Sequence, residues 1–274
     1  MGIFDGYLIC SDFDGTMAYE AKVSQENYDA IAYFQREGGV FCPCSGRQTA
    51  FFHELAEKFR PNGPVITLNG TAISLYGESP EEDEHVYLGY TPNALVREFV
   101  RDARFLPGVR NIWVYQQPDV HLVLPVGRVA QSEAARRILR TVEEVEGDAM
   151  KIVIGHDKKH LDVIRAVLEP KYRDRLAFGC SWDAGYEAQL LGTTKGDSAL
   201  RVKNMVGAHT LVCVGDYEND LSMLKVADIA YAVENAVDCL KEVADRITVR
   251  CTEHAIAHVI ADLERDVREN EKNR

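Results

Sequence analysis

Residues 7–16 read Tyr-Leu-Ile-Cys-Ser-Asp-Phe-Asp-Gly-Thr, an apolar run that ends in two aspartates one residue apart. Such a short apolar run predicts a buried strand. Residues i and i+2 of a strand lie on one side, so we expect Asp12 and Asp14 to point the same way, with Phe13 turned toward the core. Two carboxylates at the end of a strand indicate a site for a hard cation and a phosphoryl group.

Strand-like and helix-like segments alternate on both sides of a different middle region. Short apolar runs at 40–44, 65–68, 210–214 and 229–233 are separated by helical patterns, which predicts an α/β fold with a mostly parallel sheet. Between them, a surface connection at 77–83 opens a stretch typical of an α+β module with an antiparallel sheet, including a helix over 132–146. We therefore predict a discontinuous core domain, 1–80 and 184–274, and an inserted α+β domain, 81–183.

Charge, hydropathy and cysteine content indicate which partners the chain can bind and in which compartment it lies. The formal net charge is -12 and the isoelectric point is near 5.2, so nucleic acid and anionic membrane surfaces would repel the chain. No stretch reaches the roughly 18 apolar residues that cross a bilayer. Several of the seven cysteines lie in apolar, strand-like runs, where thiols are usually buried and free. This pattern favours a reducing compartment. We expect a cytoplasmic protein; the sequence does not assign an oligomeric state.

The aspartate pair has the residues that phosphoryl transfer through an enzyme ester requires. A carboxylate can attack phosphorus and form an aspartyl-phosphate, which is the role predicted for Asp12. A second carboxylate can protonate the leaving alkoxide and later deprotonate water, which is the role predicted for Asp14. The alternative is a turn, capped by aspartate and made by Gly15.

Two further segments supply groups that can hold a phosphate. Ser45-Gly46-Arg47 follows the second apolar run, where a hydroxyl, main-chain N–H groups and a guanidinium can face an anion, although Ser45 could equally be a helix N-cap. Lys195, followed by Gly196 before a predicted helix, can balance the charge of the nucleophile and the phosphate. Lys203 is its rival on the same helix.

Residues 215–220, Gly-Asp-Tyr-Glu-Asn-Asp, follow the most apolar strand of the second half. Mg²⁺ prefers oxygen ligands, so we predict a site made by Asp12, Asp216 and the main-chain carbonyl of Asp14. Asp220 would hold a metal-bound water, or it would only make a favourable interaction with the helix dipole as an acid in the first turn. Asn219 would contact phosphate or cap the helix. His254 and His258 have the spacing of a zinc pair but no accompanying ligand, so we discount them.

These four segments, in this order, resemble the four motifs of the haloacid dehalogenase superfamily. The long insertion, the Asn69-Gly70 turn before it and the form of the fourth motif resemble its Cof-type phosphatases, subfamily IIB. The resemblance implies a Rossmann-like core with an α+β cap. It also implies a Mg²⁺-dependent phosphatase that acts on small phosphorylated metabolites, such as sugar phosphates, with the residue roles given above.

Two other functions remain open at this point. A phosphomutase of the phosphomannomutase type would pass the phosphoryl group to a sugar hydroxyl and release no inorganic phosphate. A phospho-signalling receiver also arranges acids and a lysine around Mg²⁺, but it is about half as long and has no insertion. Candidate residues for substrate selection in the insertion are Arg110, Trp113 and Tyr115.

Overall fold

The computed structural model describes residues 2–55, 58–116, 119–123 and 137–272, without the side chain of Glu271. Within these residues the strands, numbered along the chain, are β1 Tyr7–Ser11, β2 Ala18–Tyr19, β3 Lys22–Val23, β4 Val40–Pro43, β5 Val65–Thr67, β6 Ala72–Leu75, β7 Glu84–Leu88, β8 Val109–Gln116, β9 Asp119–Val123, β10 Arg137–Leu139, β11 Lys151–His156, β12 Leu176–Trp182, β13 Gly185–Leu190, β14 Thr210–Gly215, β15 Ile229–Val233 and β16 Arg246–Thr248. The α-helices are α1 Gln25–Arg36, α2 Ala50–His53, α3 Asn93–Ala103, α4 Leu161–Tyr172, α5 Lys195–Val206, α6 Leu221–Leu224, α7 Asp238–Lys241 and α8 Ala255–Lys272.

The chain divides into two compact units, residues 1–87 with 195–274 and residues 88–194. The limits predicted for the core and inserted domains, 1–80 with 184–274 and 81–183, stay a prediction. Both joins between the units lie further along the chain than those limits, because β7 pairs with β6 while β13 pairs with β11 and β12.

The first unit is built around a five-stranded sheet in the order β16-β15-β14-β1-β4. Every pairing in this sheet is parallel, which confirms the predicted α/β class with a mostly parallel sheet. Four of the five residues of β1 are buried, as is expected of a central parallel strand that is covered on both faces. The carboxyl ends of β1, β4 and β14 therefore meet at one edge, where the sequence motifs follow.

A smaller sheet, β5-β6-β7, continues from the end of β4. A bridge between Cys44 and Ile66 joins the two. β5 and β6 pair antiparallel through the turn at Leu68–Gly70, which confirms the predicted hairpin. The turn is thereby held beside the segment that follows β4.

The second unit has a six-stranded sheet, β10-β9-β8-β11-β13-β12, and the helices α3 and α4. All its pairings except β9 with β10 are antiparallel, so it is the α+β module that the sequence predicts. The helix predicted over 132–146 is wrong for 137–146: residues 137–139 form β10 and turns follow, while 132–136 lie outside the described residues. The Arg97 side chain donates to the carbonyls of Glu143 and Val145, which replaces helical hydrogen bonds there.

Candidate active site

The first aspartate of the opening motif continues the line of β1. The main-chain N–H of Asp12 donates to the carbonyl of Val214 at 2.9 Å, so the pairing of β1 with β14 extends to it. Asp12 is 6% exposed and Phe13 is completely buried, which confirms that Phe13 turns toward the core. Asp14 is exposed, and its carboxylate contacts a different partner from that of Asp12.

Lys195, the first residue of α5, lies between two carboxylates. Its Nζ donates to Oδ1 of Asp12 at 2.5 Å and to Oδ1 of Asp220 at 2.6 Å, and the side chain is completely buried. Burial acts to lower the pKa of Lys195, but the charges of Asp12 and Asp220 outweigh it and hold the pKa well above its usual value. The rival Lys203 instead pairs with Asp228 at 2.5 Å. The structure thus brings Lys195, and not Lys203, to the aspartate motif.

Three aspartates from the first and fourth motifs form one acidic cluster. Asp12, Asp216 and Asp220 each offer an oxygen, and these atoms all lie within 4.8 Å of one another. The hydroxyl of Thr16 donates to Oδ1 of Asp216 at 2.9 Å. Oδ2 of Asp220 accepts the main-chain N–H groups of Asp216 and Tyr217 at 3.0 and 3.2 Å. Hydrogen bonds from both motifs therefore fix the carboxylates at the end of the sheet.

The electrostatics of the cluster favour a cation. Burial raises the pKa of Asp12 well above its usual range, with Lys195 opposing and the neighbouring acids adding to the shift. Burial, followed by the charge of Asp220, raises the pKa of Asp216 to about 7. Three carboxylates share one lysine, and their oxygens are the hard ligands that Mg²⁺ prefers, so the residues fit this ion. The Asp14 carboxylate lies outside this group; the metal contact predicted for it, through its main-chain carbonyl, stays a prediction.

Gly15 is required by the close approach of the first and fourth motifs. Its φ is +84°, and a Cβ at this position would lie 2.4 Å from Oδ2 of Asp216. The carbonyl of Gly15 accepts a hydrogen bond from Nδ2 of Asn235 at 2.8 Å. Sequence reasoning missed Asn235, because a single asparagine in a loop 220 residues away carries no local signal.

The second motif forms a turn and does not cap a helix. Ser45 is 1% exposed, its Oγ accepts the N–H of Arg47 at 3.2 Å, and its own N–H donates to Ile66. No helix begins at Ser45: the next helix along the chain is α2, Ala50–His53. Ser45 is therefore not its N-cap, and the hydroxyl organises the turn at the carboxyl end of β4.

Arg47 pairs with the second aspartate of the opening motif. Its Nε and one terminal nitrogen each lie 2.7 Å from a different oxygen of Asp14, and the guanidinium lies 4.0 Å from the ring centroid of Phe51. Both charged side chains are partly exposed. A phosphate that approached Arg47 would compete with the Asp14 carboxylate for the same donors.

Asn219 contacts a residue that lies outside the four motifs. Its Nδ2 donates to Oδ1 of Asn69 at 3.1 Å. It does not cap the following helix, α6, because the N-cap position of α6 is Asp220. The sequence predicts only a turn at Asn69. Its proximity to the fourth motif arises from the pairing of β5 with β6.

Comparison with known proteins finds similarity along almost the whole chain. A family model described as haloacid dehalogenase-like hydrolase matches residues 9–260. The 5-amino-6-(5-phospho-D-ribitylamino)uracil phosphatase YcsE of Bacillus subtilis is 26% identical over 92% of this chain and 94% of that protein. A solved haloacid dehalogenase-like hydrolase from Bacteroides thetaiotaomicron has a TM-score of 0.71 and 24% identity over 95% of this chain and 99% of that one. The subclass IIB sugar phosphatase BT4131 has a TM-score of 0.74 and 18% identity over 93% and 98%.

Proposed function

The chain belongs to the haloacid dehalogenase-like hydrolases, as its motifs predict, and on that basis we propose that it is a Mg²⁺-dependent phosphatase of small phosphorylated metabolites. The observation that carries the proposal is the buried Asp12 carboxylate, held by Lys195 within a cluster of acids. This arrangement presents a fixed nucleophile beside a fixed positive charge, and it leaves an excess of negative charge for a cation to balance.

In the proposed reaction Asp12 is the nucleophile. One of its carboxylate oxygens attacks phosphorus, the bond from phosphorus to the leaving oxygen breaks, and an aspartyl-phosphate forms. The Lys195 ammonium, 2.5 Å from Asp12, balances charge on the nucleophile and the transferred group. Both residues are buried, so little reorganisation is needed as charge moves.

Asp14 carries the protons in both half-reactions. Its carboxyl protonates the leaving alkoxide, and the resulting carboxylate then removes a proton from the water that hydrolyses the aspartyl-phosphate. It lies two residues after the nucleophile and is exposed, so it can exchange protons with solvent between the two steps. In the structure Arg47 pairs with it, and a substrate phosphate that draws Arg47 away would free the carboxyl.

Mg²⁺ would be held by Asp12, Asp216 and the main-chain carbonyl of Asp14, with Asp220 acting through a bound water. When bound, this ion supplies a counter-charge for the phosphoryl oxygens. The remaining phosphate contacts are proposed for Ser45, Gly46, Arg47 and Asn219. The first three lie in one turn after β4, and Asn219 lies in the turn after β14.

For the substrate we propose a sugar phosphate or a related phosphomonoester. Support comes from the names of YcsE, a ribitylaminouracil phosphatase, and BT4131, a sugar phosphatase. Arg110, Trp113 and Tyr115, the candidates for substrate selection, lie on β8 of the second unit; Arg110 pairs there with Asp157.

We place the protein in a reducing compartment, the cytoplasm. All seven cysteines are free thiols, and five of them are buried. Of the helices in the described residues, none combines the length and the apolar character needed to span a bilayer.

The test is release of inorganic phosphate from p-nitrophenyl phosphate and from a panel of sugar and polyol phosphates, with Mg²⁺ and with a chelator. We expect Mg²⁺-dependent release, and acid quenching of a single turnover with radiolabelled substrate should leave the label on the peptide that contains Asp12. Isomerised product without phosphate release would favour a phosphomutase. Release that proceeds with no labelled protein would contradict the aspartyl-phosphate.

A further inference from the structure

The turn at Leu68–Gly70, which no motif includes, is bound to the main chain of the second motif. The N–H of Asn69 donates to the carbonyl of Ser45 at 3.0 Å, and the N–H of Leu68 donates to the carbonyl of Arg47 at 3.0 Å. The turn is therefore paired with the proposed phosphate-binding segment at both of that segment's ends.

The same turn contacts the fourth motif and the helix that carries Lys195. The hydroxyl of Ser198, one helical turn after Lys195, donates to the carbonyl of Gly70 at 2.6 Å. Nδ2 of Asn219 donates to Oδ1 of Asn69 at 3.1 Å. Two motifs that are distant in sequence, together with the Lys195 helix, thus make hydrogen bonds to one three-residue turn.

The backbone of the turn is strained at two residues that are not glycine. φ is 50° at Leu68 and 58° at Asn69. Both values lie in the left-handed region, which residues other than glycine, asparagine and aspartate seldom adopt. Leu68 is 2% exposed and Asn69 is 4% exposed. Strain of this kind persists only where the surrounding contacts enforce it, and it concentrates at functional sites.

The Asn69 carboxamide also determines how Asn219 presents its own amide. Nδ2 of Asn219 carries two hydrogens, and its bond to Oδ1 of Asn69 uses one of them, so the direction of the second, which a phosphate oxygen could accept, is set by Asn69. A Cβ on Gly46 would lie 3.1 Å from Oδ1 of Asn69, so the main chain of the phosphate turn packs directly on this carboxamide. One side chain therefore contacts the second and fourth motifs together.

We propose that Asn69 is a positioning residue of the active site, which fixes the Asn219 amide relative to the Ser45–Arg47 turn for the transferred phosphoryl group. This inference rests on the proposed function, since it assigns to Asn219 a contact with phosphate. Asparagine suits the position because it tolerates the left-handed backbone and offers a neutral acceptor, which adds no charge beside an acidic cluster.

The decisive variant is Asn69→Gly, because glycine keeps the left-handed backbone and removes only the carboxamide. His254→Gly is the matched control: it replaces another non-glycine residue with positive φ, 61°, whose ion pair is with Glu26, outside the four motifs. Asn219→Ala and the double variant complete a mutant cycle. Steady-state hydrolysis of p-nitrophenyl phosphate with Mg²⁺ and thermal unfolding are measured for each.

We expect Asn69→Gly to unfold near the wild-type temperature and to lose about tenfold in kcat with little change in KM, since a lost hydrogen bond in the transition state is of that size. The double variant should lose no more than the worse single variant, because both remove one contact. A wild-type kcat in Asn69→Gly, or additive losses in the double variant, would overturn the inference.

A second measurement separates this inference from the proposed function. Amide hydrogen exchange of the unliganded protein should be faster in 215–221 of Asn69→Gly than in the wild type, and unchanged in His254→Gly. If the wild type hydrolyses no phosphomonoester, the proposed function fails while the exchange result still decides the positioning role. Unchanged exchange in 215–221 of Asn69→Gly would contradict that role whatever the activity.

Discussion

The acids of the two units are held in opposite ways. In the first unit Asp12, Asp216 and Asp220 lie close together, the ammonium of Lys195 contacts Asp12 and Asp220, and the pKa values of Asp12 and Asp216 are raised. These carboxylates are held where their negative charge is costly.

In the second unit, two acids of α3 have cations beside them: Glu98 pairs with Arg175, and Asp102 pairs with Lys171. Hydrogen bonds from Arg175 lower the pKa of Glu98. Burial acts to raise the pKa of Asp102, but hydrogen bonds from Lys171 and from Tyr172 outweigh it, and the pKa is lowered. Acids with raised pKa values are typical of functional sites, whereas acids paired with cations stabilise the folded chain.

The largest expected effect comes from removing the proposed nucleophile. Asp12→Asn should lower phosphate release at least about 10⁴-fold, as loss of a nucleophile does in other enzymes. Its thermal midpoint should not fall, because one of three crowded carboxylates loses its charge. Asp102→Asn is the control in the second unit, with unchanged release and a lower midpoint. If Asp12→Asn is inactive and also less stable than Asp102→Asn, the acids of the first unit are not held at a cost in stability, and the stated difference between the two units is wrong.

Removing the shared cation should have the next largest effect. Lys195→Met leaves Asp12 and Asp220 buried without a counter-charge, and breaking a buried pair in this way costs about 3–5 kcal/mol of unfolding free energy. Urea unfolding followed by circular dichroism measures it. The same change at the exposed Lys171 should cost far less. Equal losses for the two lysines would show that the cluster needs no internal cation.

Mg²⁺ should relieve the crowding in the first unit. At about 100 times its dissociation constant, an ion that binds only the folded chain stabilises it by about 2.7 kcal/mol. The thermal midpoint should rise with Mg²⁺ and return with a chelator, at constant ionic strength. Asp216→Asn should abolish the rise, whereas Asp102→Asn should retain it. A rise that Asp216→Asn leaves intact would place the ion elsewhere.

The smallest effect is a pH dependence in the second unit. The pKa of Asp102 is lowered from its ordinary value of 3.8, so its contribution to stability is complete above that value and is lost as the pH falls through the folded-state pKa. Tryptophan fluorescence follows this unit, because both tryptophans, Trp113 and Trp182, lie in it. The thermal midpoint should fall as the pH is lowered below about 4 in the wild type and fall less in Asp102→Asn.

The first, second and fourth segments of the site could be located from the sequence because each follows an apolar strand. Asp12 and Asp216 could be found from local pattern alone, and the parallel sheet then brings β1 and β14 side by side. Lys195 was predicted from its place before a helix, and the structure separates it from its rival Lys203. Their roles as nucleophile, counter-charge and metal ligand stay predictions that the variants above test.

Other features depend on partners that local pattern does not identify. Asn69 reaches Asn219 across 150 residues, and β10 forms because β9 offers it an edge, although its sequence favoured a helix. Arg47 was assigned to phosphate, yet in the structure it pairs with Asp14. In each case the side chain's chemistry was readable and its neighbour was not, since the neighbour is set by tertiary packing.

The pairing of β1 with β14 has a consequence for synthesis of the chain. Tyr7 pairs with Thr210, so about 200 residues are synthesised after β1 before its partner strand β14 is made. At 5–20 residues per second this takes about 10–40 s. Residues 88–194 are contiguous and can fold as they emerge from the ribosome. The half-made first unit thus exposes an apolar strand edge in the nascent chain, where a chaperone would bind.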